Sequence, residues 1–427
     1  MKIPAPLRNR GRVAFASLAL IGGLVLGGCT AESTDAAGTT AATSATTSVS
    51  DVSVSSTTDA TSTSETVSAT AEAAEAFLAT LSEEQREQVL YSYDDETKTT
   101  SWSNFPITFV ERAGLNISEL TDEQQAAALE VMNALLSDEG YDTITGIMEG
   151  DEYLLENSTT TEDTLGQYYI AFFGDPSDTD AWEVQFGGHH LGINATLTGS
   201  EDAITFAPTH LGSQPAVYTD ADGNEVQPLG GMYETAFAFY DSLTDEQKAQ
   251  LYQGETVSDL VCAPGGACDY PTGTGLAGSD LTDEQKQLLL DVVANWVGLA
   301  DEETTSDKLA EIEASLDETY VNWSGATVYD MSQGSGIYFQ ISGPDVYIEL
   351  SDQQGSAGAD VDGVVTAGWG HIHTIYRDPT NDYAGSVTQA ASSGPGGGTG
   401  APAGGMGGPG AGGMTPPAGG MGERPAA

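Results

Sequence analysis

Four of the five histidines in this chain fall in two short phrases, His189-His190 and His371-Ile372-His373. In His371-Ile372-His373-Thr374-Ile375-Tyr376-Arg377 the β-branched and aromatic residues predict a strand. Side chains on a strand alternate, so His371, His373 and Arg377 share one face, with the histidines roughly 6–7 Å apart at Cα. Two imidazoles at that spacing can converge on one divalent transition metal, and zinc, copper and iron are the ions imidazole suits. Arg377, on the same face, calls for an anionic partner, either Asp378 or the carboxylate of a small ligand.

Alternation extends the candidate site. Leu191 and Ile193 mark a core face, which leaves His190 and Asn194 on the polar one. Val346, Ile348 and Leu350 are a second core face, leaving Asp345, Tyr347 and Glu349 polar. The expected metal set is therefore His190, His371, His373 and Glu349. His189 falls on the apolar side as a core hydrogen-bond donor, unless a bulge at Gly187-Gly188 reverses the phase and adds it to the ligands. His210 has no partner motif and reads as structural. The chain has no Gly-x-Ser-x-Gly elbow, Walker loop, His-Glu-x-x-His or strand–GxGxxG–helix pattern.

The elements that must position these residues begin with a phrase used four times: Leu81-Ser82-Glu83-Glu84-Gln85, Leu120-Thr121-Asp122-Glu123-Gln124, Leu243-Thr244-Asp245-Glu246-Gln247 and Leu281-Thr282-Asp283-Glu284-Gln285. Each predicts a helix start. The hydroxyl accepts from the N3 amide, Gln reaches back to the cap, and the acids favour the positive end of the helix dipole. Leu81 to Leu243 is 162 residues and Leu120 to Leu281 is 161, so a helix pair recurs as a unit. Strand-like sequence follows each pair: Tyr168–Phe173, Trp182–Phe186 and His190–Leu197 in the first half, Thr327–Tyr329, Ile337–Ile341 and Val346–Leu350 in the second. The expected fold is α+β, in two related halves produced by internal duplication, each a helix pair plus an antiparallel sheet. Two such sheets facing each other would enclose a polar cleft.

Outside the folded part the chain carries export signals. Lys2, Arg8, Arg10 and Arg12 precede an apolar run from Val13 to Leu26, too short to serve as a spanning helix, and Leu26-Gly27-Gly28-Cys29 has the form of a lipoprotein cleavage site. The expected domains are a signal at 1–28, a Ser/Thr-rich disordered tether at 29–70, α+β halves at 71–230 and 231–385, and a disordered Gly/Pro/Met-rich tail at 386–427. A multiply acylated Cys29 would anchor the protein to the membrane, at about 0.8 kcal/mol per buried CH₂, facing the extracytoplasmic side. The tail's Met406, Met414 and Met421 read as low complexity, although thioethers are soft enough to gather Cu(I). Losing a leader with four cations and no acid takes the formal charge from −52 to −56, which repels nucleic acid. Cys262 and Cys268, in an oxidising compartment, are expected to form a disulfide.

Several phrases together resemble a bacterial family known as domain of unknown function 3500. They are Phe173-Gly174-Asp175-Pro176, Gly188-His189-His190-Leu191-Gly192-Ile193-Asn194, Glu349-Leu350-Ser351-Asp352 and His371 to Asp378, with Trp102-Ser103-Asn104-Phe105-Pro106 in support. The resemblance covers about Ala71 to Tyr383. It implies no activity. It aligns His189, His190, Glu349, Asp352, His371, His373 and Arg377 with the family's polar motifs, and His210 stands where an apolar residue is expected. Three functions follow as expectations: a metal or small-ligand binding lipoprotein, with Arg377, Asn194 and Asp352 as ligand-binding residues; a non-catalytic cell-envelope protein whose histidines are structural; or an extracellular metal-dependent hydrolase with Glu349 or Asp352 as base.

Overall fold

The computed structural model describes residues 61–158, 164–332, 334–355 and 359–389. The leader, Cys29, most of the expected tether and nearly all of the tail lie outside the described residues.

The first helix, α1 (Thr63–Thr80), begins eight residues before the boundary expected from composition. Ser62 and Glu65 form a capping box, and Val67, Ala71, Ala74 and Phe77 make a buried stripe. Thr66 and Thr70 are buried too, each hydroxyl donating to the carbonyl four residues back, so threonine here works as a small core residue. Then come α2 (Glu83–Val89), β1 (Leu90–Tyr91), β2 (Leu115–Asn116), α3 (Asp122–Leu135), α4 (Asp138–Asn157), β3 (Tyr169–Phe173), β4 (Ala181–Gly187), β5 (Leu191–Thr198), β6 (Ala203–Thr205), β7 (Thr209–Ser213) and a small hairpin, β8 (Tyr218–Thr219) and β9 (Glu225–Val226). The remaining elements are α5 (Gly230–Ser242), α6 (Asp245–Leu251), β10 (Tyr252–Gly254), β11 (Leu276–Ala277), α7 (Asp283–Val297), α8 (Glu302–Ser315), β12 (Tyr320–Gly325), β13 (Ile337–Ser342), β14 (Tyr347–Asp352) and β15 (Ile372–Arg377). The four repeated phrases cap α2, α3, α6 and α7, and both reciprocal hydrogen bonds of the capping box are present in each. The expected strand at Thr327–Tyr329 is absent. That segment is a loop, and β12 lies ahead of it, from Tyr320 to Gly325.

The fold is mixed α+β: eight helices among the described residues and a large mixed sheet ordered β1-β3-β4-β5-β7-β15-β14-β13-β12-β10. The flanks pair alike. β1 runs parallel to β3 and β10 parallel to β12, while β2 and β11 add antiparallel to β3 and β12. The halves do not face each other as separate sheets. β7 and β15 pair antiparallel and join them edge to edge, so there is no cleft between two sheets but one sheet with two unlike faces.

One face is apolar and carries the helices. Phe77 of α1 meets Phe172, Phe237 of α5 meets Trp323, and Trp296 of α7 meets Phe339. The other face is polar, with Glu183, Gln185, Asn194, His210, His373, Glu349 and Gln340 all buried. Two long loops, 92–114 and 255–275, cover it and satisfy its side chains. Gln185 takes part in bonds with Ser101 and Lys98, and Glu349 accepts from the amides of Val261 and Cys262. Cys262 and Cys268 are disulfide-bonded, closing the second loop near its middle.

Candidate metal centre

All five histidines of the chain gather at the β7–β15 junction, and each is at least nine-tenths buried. His373 stands opposite Gly212 of β7. His371, just ahead of β15, extends along the same face, and its Nε2 lies 3.2 Å from Nε2 of His373. His210 of β7 sits edge-on to His373, with ring centroids 5.3 Å apart.

His189 and His190 are not strand residues. β4 ends at Gly187, β5 starts at Leu191, and the two histidines form the tip of a tight hairpin in which the Gly188 amide donates to Leu191 O at 2.8 Å. Alternation does not govern a turn, so both rings project the same way and stack at 4.2 Å. The Gly212 amide donates to the His190 carbonyl at 2.7 Å and ties β7 to this turn. His189, His190 and His373 bring one ring nitrogen each within 4.8 Å of one another.

Glycine makes the room. A Cβ on Gly212 would lie 3.1 Å from Cδ2 of His373, 3.3 Å from Cδ2 of His190 and 2.9 Å from the Ile372 carbonyl. Any larger residue would push into the imidazoles.

The outward ring nitrogens are bonded. Nδ1 of His190 donates to Asp151 Oδ1 at 2.6 Å, Nδ1 of His210 to the Thr374 carbonyl at 2.7 Å, and Nδ1 of His371 to the Gly355 carbonyl at 2.7 Å. A ring nitrogen that donates leaves its fellow as a lone-pair donor, so Nε2 carries the lone pair in these three, and that of His371 is engaged with Nε2 of His373 at 3.2 Å. Nε2 of His190 and of His210 is buried without a hydrogen-bond partner. For His373, Nδ1 lies 3.1 Å from Asn104 Nδ2, while the Asn104 Oδ1 is buried and unpartnered. Turning that amide over lets Oδ1 accept from Nδ1–H and frees Nε2 in the same way. Carbonyl oxygen and amide nitrogen are interchangeable in such a placement.

Burial, reinforced by the neighbouring imidazoles, holds His371 and His373 neutral far below the usual histidine range. Burial pushes His210 down to about 3, with the Thr374 carbonyl opposing.

The other expected site residues are engaged elsewhere. Glu349 is on the polar face, but its carboxylate accepts from Val261 N, Cys262 N and the Tyr338 hydroxyl at 2.9, 2.8 and 2.6 Å, and it is not bonded to an imidazole. Asp352 points to the helix face, where it accepts from Ile337 N and the Tyr233 hydroxyl. It falls there because it pairs with Ile372 and not with His373. Arg377 is buried against the disulfide loop, donating to Gly266 O at 2.6 Å and pairing with Asp382 at 3.3 Å, whereas Asp378 pairs with Lys308. Asn194 spends its amide on Gln185 and Pro208 O. Neither carboxylate proposed as a hydrolytic base reaches the cluster.

Three contributors escaped the sequence reading. His210 had no motif, Asp151 is an acid among many on α4, and Asn104 sat in a family-like phrase without a role. The β-like pattern at Thr209–Ser213 was the one available signal for His210.

These features define an α+β domain with a buried histidine cluster in which Asp151 stands behind His190. The model of a family described as "Protein of unknown function (DUF3500)" matches residues 63–385, and the chain belongs to that family. No curated protein and no solved structure matches it.

Proposed function

We propose that this protein is a lipid-anchored, extracytoplasmic metal-binding protein whose histidine cluster holds one transition-metal ion. The observation carrying this reading is His190, whose Nδ1 donates to Asp151 while its buried Nε2 has no hydrogen-bond partner, and whose ring lies with those of His189 and His373, one nitrogen of each within 4.8 Å of the others. A cluster built only for packing would be expected to satisfy both nitrogens of each ring, since an orphaned buried polar atom costs about 1–3 kcal/mol. The bare leader-and-Cys29 pattern supports the anchor, and a Cys29→Ala protein that still sediments with membranes would remove it. We further propose that the halves descend from one duplicated unit. The 161–162-residue spacing of the helix phrases and the matched pairing of the two sheet flanks support this.

The test is elemental analysis of the tag-free chain. One zinc, copper or iron per protein is expected, and less than a tenth of that in His371→Ala/His373→Ala with unchanged helical circular dichroism. Absence of metal from the parent protein after incubation with each ion, together with a large stability loss in the double variant, would make the cluster structural.

The same protein makes a pH prediction. Burial keeps His371 and His373 neutral well below the usual histidine range in the folded, metal-free site, so binding through these two rings requires no deprotonation between pH 7.5 and pH 5.5. Affinity should change little across that interval. Two ordinary histidines in their place would cost roughly a hundredfold, about tenfold per ring titrating near 6.5. Stability behaves differently. Because His210 goes from its ordinary 6.5 in the unfolded chain down to about 3 in the fold, its contribution is complete above 6.5 and is lost as pH falls towards 3. Isothermal titration at both pH values, with urea midpoints as control, separates the two effects. A hundredfold loss of affinity at constant folding would show that these two rings are ordinarily basic.

A further inference from the structure

We infer that the cleft between β6 and α8 is a second binding site, and that it takes a small organic ammonium ion with a short apolar stem. The site lies on the helix-bearing face of the sheet, away from the histidines, and is independent of the metal-binding reading.

A helix packed on a sheet ordinarily turns an apolar stripe inward. α8 departs from this. Ile312 is its one buried side chain, while Thr304, Asp307, Lys308 and Glu311, neighbours on one helical face, line a cleft of about 210 Å³. The apolar lining comes from Ile204 and Phe206 around β6, Val297 at the end of α7 and Tyr376 of β15. A polar wall and an apolar floor together call for an amphiphilic guest. The volume, below the roughly 300–1,000 Å³ of drug-sized sites, calls for a small one.

Tyr376 turns its hydroxyl to this space. The residue is 2% exposed and its hydroxyl bonds to no described residue, yet that oxygen is not sealed off from the cleft. Burial, and after it the fields of Asp378, Asp382 and Glu311, hold it protonated well above the usual tyrosine range. Asp378 and Glu311 both line the cleft, which sets the hydroxyl on the cleft side. A polar group so deep in the protein is costly unless a guest bonds it.

The walls decide the guest's charge. Asp202, Asp307, Glu311 and Asp378 line the cleft against one basic residue, Lys308. That lysine is already tied to Asp378 at 2.5 Å and to Glu311 at 2.8 Å. The carboxylates of Asp202 and Asp307 have no partner among the described residues. An anion would meet this excess of carboxylate, and an uncharged guest would draw nothing from it. A bare metal ion would leave the apolar lining unused. An ammonium supplies N–H donors for a free carboxylate and for the Tyr376 oxygen, with its stem against Ile204, Phe206 and Val297.

The experiment titrates the full chain with three probes of one shape, n-butylammonium, butan-1-ol and butyrate, and follows methyl and aromatic NMR signals. Butylammonium is expected to bind at least about tenfold more tightly than the alcohol, with butyrate the weakest. Shifts should gather at Ile204, Val297 and Tyr376. Shifts spread over the acidic surface, an alcohol that binds as well as the ammonium, or no binding by any probe would each overturn the inference. Asp307→Asn, at an exposed side chain, should weaken butylammonium about fivefold and leave butan-1-ol unchanged. Equal effects on both probes would remove the charge argument. Tyr376→Phe should weaken butylammonium by a similar factor, and an unchanged affinity would take the hydroxyl out of the site.

Discussion

Lys98→Ala is expected to lower the unfolding free energy by about 3–5 kcal/mol at pH 8, the usual cost of stripping one partner from a buried ion pair. Lys98 and Glu183 are both fully buried, 3.0 Å apart, with the lysine over the rings of Tyr93 and Phe173. Without the ammonium, Glu183 keeps one weak bond, from Thr196 at 3.3 Å, and its Oε1 already has no partner. Burial raises the Glu183 pKa and Lys98 opposes that rise. Removing the lysine therefore lifts it further above its unfolded value. A raised carboxyl makes the fold take up a proton that the unfolded chain does not, so the deficit should shrink as pH falls and grow as it rises. Lys98→Met/Glu183→Leu removes both charges at similar volume and should recover most of the loss. Urea midpoints at pH 8 and pH 5 decide the matter. A single-variant change below about 1 kcal/mol at pH 8 would mean that water reaches the pair.

Why such a pair is buried follows from how the polar face is covered. Loop 92–114 has little regular structure beyond a 3₁₀ turn at Glu96–Thr99, yet it lies over strands whose side chains are charged or amide. Lys98, Ser101, Trp102 and Asn104 bond in turn to Glu183, Gln185, Tyr383 and His373. A loop with few apolar anchors is held in register by polar pairs. The histidine cluster gains its Asn104 contact from the same arrangement.

That covering explains what the sequence could reveal. The helix starts were legible because a capping box is written in four adjacent residues. The polar and apolar faces of β5, β14 and β15 were legible because alternation is local, and Asn194, Glu349 and His373 lie on the face it assigns. What alternation cannot supply is adjacency across the sheet. His373 meets His190 and His210 because β15 pairs with β7, about 160 residues earlier, and nothing in either strand's pattern names that partner. Glu349 and Asp352 were drawn to the metal for want of this information, when β14 lies on the far side of β15 and the disulfide loop takes the Glu349 carboxylate. The turn residues His189 and His190 escape the period-2 rule altogether. Compositional reading failed at Thr63–Thr70 for a related reason: threonines resemble linker until the buried stripe they belong to is seen from the opposing helices.

The cluster's chemistry depends on which nitrogen of His190 carries the proton, and Asp151 controls that. From α4 it accepts from His190 Nδ1 on one oxygen and from the Tyr168 hydroxyl on the other, joining the helix to the β4–β5 hairpin. Asp151→Ala should therefore cost about 2–4 kcal/mol, since it leaves two buried donors unpaired. Asp151→Asn should recover less than isosterism suggests. An amide has one acceptor oxygen; if that serves the imidazole N–H, the NH₂ faces Tyr168, whose oxygen can accept it only by leaving its own buried proton without the acceptor Asp151 provided. If the carboxylate is what fixes the Nδ1–H tautomer, Tyr168→Phe should rescue Asp151→Asn. With the competing hydroxyl gone, the amide oxygen can serve His190 alone. The Asn/Phe double variant is then expected to lie at least about 1 kcal/mol above the sum of the single effects, and ¹⁵N spectra of His190 should show the same protonated nitrogen as the parent. Additive losses, or a proton on Nε2 in the parent protein, would mean that the inward face of the cluster offers an N–H where a metal needs a lone pair, and the metal-binding reading would fall with it.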